Sequence, residues 1–100
     1  MKLGILINTD SNKNHVVGLT KAALSKGHEV VLFMMDVGVK NAGDREIQAL
    51  CKDEGAQCSL CDHSAHNANF STEGLPESIT VGSQYNNAVM NADVDKVIVL

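Results

Sequence analysis

The sequence predicts an α/β fold, a single three-layer sandwich over residues 1–100 on a mainly parallel sheet of about five strands. Three observations carry this expectation. Leu3 to Ile7, Val30 to Met35 and Val97 to Leu100 are nearly continuous aliphatic runs of strand length, the pattern of strands covered on both faces. Between the first two, apolar residues recur at helical spacing, which makes one β-α-β unit. The chain has 100 residues, 44% of them hydrophobic and only 3% aromatic. That is the size of one domain whose interior aliphatic side chains must fill.

Taken in order, the first strand is followed by a helix whose inner face is Val16, Val17, Thr20, Ala23 and Leu24. Gly27 stands where a left-handed cap should end it. The second strand leads to a helix starting near Asp44, whose carboxylate can cap free amides, and running through Ile47, Leu50, Cys51 and Glu54 to a stop at Gly55. Gln57 to Leu60 is a third strand. Residues 62–78, rich in His, Asn, Ser and Thr and holding the only proline, Pro76, read as a short helical turn and a loop. Ile79 to Val81 is a brief fourth strand. Ser83 caps a last helix with Tyr85, Ala88, Val89 and Ala92 as its inner stripe, and Asp93 to Asp95 lead into the fifth strand. Such alternation implies right-handed crossovers, with reactive groups at the carboxyl ends of the strands. The segments to search are Asn8 to Asn14, Asp36 to Lys40, Cys61 to His66 and Val81 to Ser83, and Asn8, Asp36 and Ser83 are the candidate substrate contacts.

Charge removes some functions. The formal charge is -4 and no Lys/Arg cluster occurs, so the chain lacks the footprint that nucleic acid or an anionic membrane requires. The apolar run from Leu3 stops at Asn8-Thr9-Asp10, short of a signal peptide and of a membrane span. A cytoplasmic location is expected. The loop after the first strand has no glycine to let backbone amides approach a phosphate, which argues against dinucleotide or nucleoside-triphosphate binding. Asp10, Asp36 and Asp62 follow strands, yet the paired acid and the lysine of a phosphorylation receiver are missing. No cofactor is expected.

Three cysteines are an odd number, and in a reducing compartment they are expected as thiols. Cys51, on the inner face of the second helix, reads as a small hydrophobe. Strand alternation puts Cys58 and Leu60 on one face and Ser59 and Cys61 on the other, which weakens a redox pair. Cys61 ends its strand at the edge where sites collect. Asp62 or Ser64 can cap the turn that follows, whose amides favour a thiolate, and a protonated His63 or His66 would lower the thiol pKa while Asp62 opposes. Cys58, Cys61, His63 and His66 also offer four zinc-type ligands, but one short stretch seldom wraps a tetrahedral ion. No metal is assigned, and that set is the runner-up.

With Cys61 placed, the chain resembles the DsrE/DsrF-like sulfur-relay family, which includes subunits of the sulfur-transfer complex for tRNA thiolation. Lys26 to Phe33 is similar to the family's approach to the second strand, and Phe33 to Val39 to its aromatic strand ending in Asp-Gly-Val, with a valine inserted here. Ser59-Leu60-Cys61-Asp62-His63-Ser64-Ala65 resembles the step that carries the sulfur-bearing cysteine. Val81 to Tyr85 resembles the opening of the last helix, and Asp95 to Leu100 the final strand. The resemblance implies the same sandwich, homo- or hetero-oligomers, and persulfide carriage on Cys61. Cys61 is then expected to pass sulfur between donor and acceptor proteins, and the neighbouring His63, helped by the first amides of the following turn, is the candidate for raising its thiolate fraction. The alternatives are a non-catalytic binding module for a ligand or partner, a Cys/His metal protein, or a thioredoxin-like oxidoreductase, whose Cys-x-x-Cys would normally open a helix.

Overall fold

Every strand in the computed structural model, which describes residues 1–100, runs parallel to its neighbours. β1 (Lys2–Ile7), β2 (Glu29–Met34), β3 (Ala56–Cys61), β4 (Ile79–Gly82) and β5 (Lys96–Val99) form one sheet in the order β4-β3-β2-β1-β5. The connections are α1 (Lys13–Ser25), a 3-10 segment (Asp36–Gly43) with α2 (Arg45–Leu50), α3 (Asp62–Asn67) and α4 (Gln84–Asp93). The chain steps outward from β1 to β4, then returns past β1 to β5. Right-handed crossovers in opposite directions put their helices on opposite faces of the sheet.

The burial pattern follows. Leu3, Ile5 and Ile7 of β1, Val30, Leu32 and Met34 of β2 and Cys58 and Leu60 of β3 form one face, packed with Val16 and Val17 of α1, Val39 and Ala42 of the 3-10 segment, Ile47 and Leu50 of α2 and Ala65 of α3. Each fully buried aliphatic side chain contributes about 1.5–3 kcal/mol. The other face holds a smaller cluster of Phe33, Cys61 and Met90, bordered by Leu6, Val31, Met35 and Val94. Only α4 covers that side. No helix is long and apolar enough to cross a membrane.

The expected strands are all present, and Gly27 turns the chain after α1 at φ 82°. Gly38 is required for a different reason: a Cβ there would collide with the backbone carbonyl of Ile7. This close approach seats the 3-10 segment over the end of β1. Asn41, 5% exposed, fastens it by donating from Nδ2 to the carbonyls of Thr9 at 3.0 Å and Gly38 at 2.9 Å.

Four expectations need correction. β5 is an edge strand and is not covered on both faces: Val97 is 38% and Val99 56% exposed. The second helix ends at Leu50 and gives way to turns before Gly55, although Asp44 does cap it, accepting from the amides of Glu46 and Ile47. The stripe assigned to the inside of α4 faces outward. Tyr85 is 74% exposed, Ala88, Val89 and Ala92 are exposed too, and Met90 is the buried residue. Finally, Cys51 and Cys58 are not free thiols but a disulfide with a Cα–Cα separation of 5.6 Å, which leaves Cys61 as the free cysteine. Strand alternation turns Cys58 toward the layer in which α2 ends at Cys51, so the two sulfurs meet beneath the turn that joins helix to strand.

Candidate functional site

Cys61 is at once the last residue of β3 and the N-cap of α3, with φ -88° and ψ 117°. Its side chain points to the α4 side of the sheet, against Phe33 and Met90, and is 3% exposed. Gly82 of β4 is its register partner. Met35 borders the same cluster, and Gln84, in the first turn of α4, reaches Met35 Sδ with its side-chain Nε2 at 3.9 Å.

An N-cap residue faces amides that have no partner within the helix, those of the second and third helical residues above all. Here these belong to His63 and Ser64, and a sulfur stands where a serine or aspartate oxygen would normally accept. Burial pushes the Cys61 thiol pKa up. The amide and hydroxyl of Ser64, the side-chain amide of Gln84 and the amide of His63 pull it down and prevail, so the thiol titrates below its ordinary range. No side-chain capping bond of regular geometry forms at this helix start. The donors act at somewhat looser range, as electrostatic partners of the anion.

The residues singled out by the sequence take different places. His63 acts on Cys61 through its backbone amide. Its exposed imidazole lies instead 3.2 Å from Asn67 Nδ2. His66 faces the Asp62 carboxylate at 3.6 Å. Asp62 is the first residue of α3 and not its cap. Asp36 follows β2 with φ 51°, a left-handed conformation that a short polar side chain tolerates better than most. With Val37, Ser64, Asn67 and Ala68 it lines a cavity of about 180 Å³. Ser64 thus both influences the Cys61 thiol and lines this cavity.

Ser83 lies at the same sheet edge but is occupied. Its Oγ accepts from the Tyr85 amide at 3.2 Å and its own amide donates to Asn86 Oδ1 at 3.0 Å, a capping box for α4. Asn8 follows β1, two strands away from β3, and is not part of the cavity wall. The runner-up metal set does not converge. Cys58 is bridged to Cys51 on the opposite face of β3, and no group of three or more His, Cys, Asp or Glu residues is arranged to hold an ion. Sequence reasoning saw Ser64 as a possible cap but not as a donor to the sulfur. It missed Gln84, which arrives from another element across the sheet and leaves no local signal.

No family model matches the chain, and no curated protein matches it. Solved structures do. The chain is similar over its whole length, and the whole of the other chain, to the ychN protein from E. coli, with a TM-score of 0.72 and 18% identity. It is similar also to MTH1491, a protein of unknown function from Methanobacterium thermoautotrophicum, with a TM-score of 0.74 and 13% identity over 99% of this chain and 98% of the other. The likeness is one of fold. Identities this low carry the sheet and its helices, and the chemistry must be argued from the residues.

Proposed function

We propose that this protein is a small sulfur carrier that holds persulfide sulfur on Cys61. The observation that carries this reading is the one free cysteine at a helix N-cap, with its pKa drawn down by Ser64, Gln84 and His63. A thiolate is the form that attacks sulfur. Cys61 thiolate attacks the outer sulfur of a donor persulfide, R–S–SH. The donor S–S bond breaks, R–S⁻ leaves and takes up a proton from solvent, and Cys61–S–SH remains. An acceptor thiolate then attacks the outer sulfur, forms its own persulfide and returns Cys61 as the thiolate. Sulfur is handed on with no net oxidation or reduction.

Cys61 is buried, so each transfer requires the flexible side chains of Gln84 and Met35 to swing aside. A middling thiol pKa serves a carrier, which must be nucleophile in one step and leaving group in the next. The partners are a protein persulfide donor and a protein thiol acceptor in the cytoplasm, and the outward stripe Tyr85, Ala88, Val89 and Ala92 supports assembly into an oligomer. The test is intact mass after exposure to a persulfide donor. Wild type should gain the mass of sulfur and lose it to a small thiol, and Cys61→Ser should gain none.

The burial of Cys61 also favours a second reading, in which the cavity beside Ser64 binds a small polar ligand and the thiol never turns over. Unmodified Cys61 after donor treatment, with full function of Cys61→Ser in the cell, would establish that reading instead.

A further inference from the structure

The Cys51–Cys58 disulfide has no part in the chemistry of Cys61, because it lies on the opposite face of β3. Its position gives it a different use. α2 has six residues, far too few to hold helical structure by itself. Its first turn is well fastened. Asp44 caps it, Lys13 of α1 pairs with Asp44 at 2.9 Å and with Glu46 at 3.1 Å, and Gln48 Nε2 donates to the Ala42 carbonyl at 2.8 Å. These ties reach α1 and the 3-10 segment, the two elements beside which α2 runs. The far end is different: Cys51 is its C-cap, the exposed turn Lys52–Glu54 follows, and the covalent tie to the sheet is the bridge to Cys58, between Leu32 of β2 and Ile79 of β4.

We propose that the Cys51–Cys58 pair is a dithiol/disulfide switch that clamps or releases the C-terminal end of α2. The reductant is a small or protein dithiol. One of its thiolates attacks a bridge sulfur, and the other bridge sulfur leaves as a thiolate and takes a proton. The reductant's second thiol then resolves the mixed disulfide. Two electrons and two protons pass to Cys51 and Cys58, and the reductant ends as its own disulfide. Hydrogen peroxide reverses the change, two thiols giving one bridge and two waters. Both bridge sulfurs belong to residues 5% exposed, so a reductant meets them only when the 52–55 turn opens, a local event and not global unfolding. Release is transmitted to the 3-10 segment, which Gln48 holds and which carries Asp36 and Val37 into the wall of the cavity.

The proposal does not rest on sulfur carriage, so it is tested in Cys61→Ser, where that chemistry is absent. Alkylation and intact mass should find the pair bridged after peroxide and free after dithiothreitol without denaturant. Amide hydrogen exchange should then be roughly tenfold faster or more across residues 45–55 in the reduced protein, and faster in 36–43, with β1 and β2 unchanged. Cys58→Ala should reproduce the reduced pattern whatever the redox conditions. Two free thiols after peroxide, a bridge that yields only in denaturant, or equal exchange in both states would each overturn the switch. Reduction of the bridged protein keeps the test open should Cys58→Ala fail to fold.

Discussion

Ser64 serves Cys61 with both its amide and its hydroxyl, and so supplies two of the four influences that draw the thiol pKa down. The amide is fixed by the helix. The hydroxyl can be removed without moving the backbone.

Ser64→Ala should therefore raise the Cys61 pKa. The hydroxyl acts without a regular hydrogen bond to the sulfur, so its contribution stays below the range of about 1.5–3 kcal/mol for a bond to a charged group, and below about one pKa unit. Alkylation of Cys61 at neutral pH should slow up to about tenfold while the rate at high pH is unchanged. His63→Ala should leave the titration in place, because its amide remains. A shift on His63→Ala with none on Ser64→Ala would return the role to the imidazole.

The same depressed pKa links stability to pH. The folded protein releases the Cys61 proton more readily than the unfolded chain. Between the two pKa values the unfolded state therefore binds more protons, and stability rises with pH. The contribution is complete above the ordinary thiol range and is lost as pH falls through the folded-state value. Urea midpoints from neutral to mildly alkaline pH should climb more steeply in wild type than in Cys61→Ser, with the disulfide intact in both. Parallel curves would mean that the thiolate has no preferential stabilisation in the fold.

Gly38→Ala places a methyl group on the carbonyl of Ile7. Backbone on both sides cannot yield as a side-chain end would. Overpacking of this kind costs about 1–3 kcal/mol, and denaturant unfolding should show a lower midpoint with an unchanged slope. Gly18, where an added Cβ meets nothing within 4 Å, is the control, and Gly18→Ala should be neutral or slightly stabilising.

Tyr85 and Val89 are one helical turn apart on α4, 74% and 46% exposed. Light scattering at micromolar concentration should give a mass above that of one chain. Tyr85→Lys combined with Val89→Lys should lower it toward the single-chain mass with little change in thermal stability, since exposed substitutions are usually within about 0.5 kcal/mol. A wild-type protein already at the single-chain mass removes the oligomer from the proposed function.

The two central strands β1 and β2 were legible because residues covered on both faces leave continuous aliphatic runs, and Leu3 to Ile7 or Val30 to Met35 can hardly be read otherwise. The α4 stripe shows where such reading stops. Periodicity correctly groups Tyr85, Ala88, Val89 and Ala92 on one side of a helix, but it does not say whether that side meets the chain's own sheet. The sheet takes Met90 and Val94 instead. Cysteine parity misled in a similar way. Three cysteines fit one bridge and one thiol as well as three thiols, and the decision needs the Cys51–Cys58 distance, which only the packed helix and strand provide. The position of Cys61 at a strand-to-helix step was visible in the chain order. Its burial and its donor Gln84 depend on α4 crossing the sheet, and no local spacing reports that.

The place of β1 in the sheet governs how the chain can be made. Leu3 pairs with Val30 on one side and with Lys96 on the other. A nascent chain can zip β1 to β4 in the order in which they leave the ribosome, yet β1 keeps an open edge throughout, and an open edge is a template for pairing with another chain. That edge closes only when residues 96–99 arrive, where Lys2 holds the incoming segment through Asp93 at 2.6 Å and through the Asp95 side chain at 2.7 Å. Residues 96–99 thus carry a duty toward Leu3 to Leu6, and a ribosome stalled before them leaves one side of an aliphatic strand open to its neighbours.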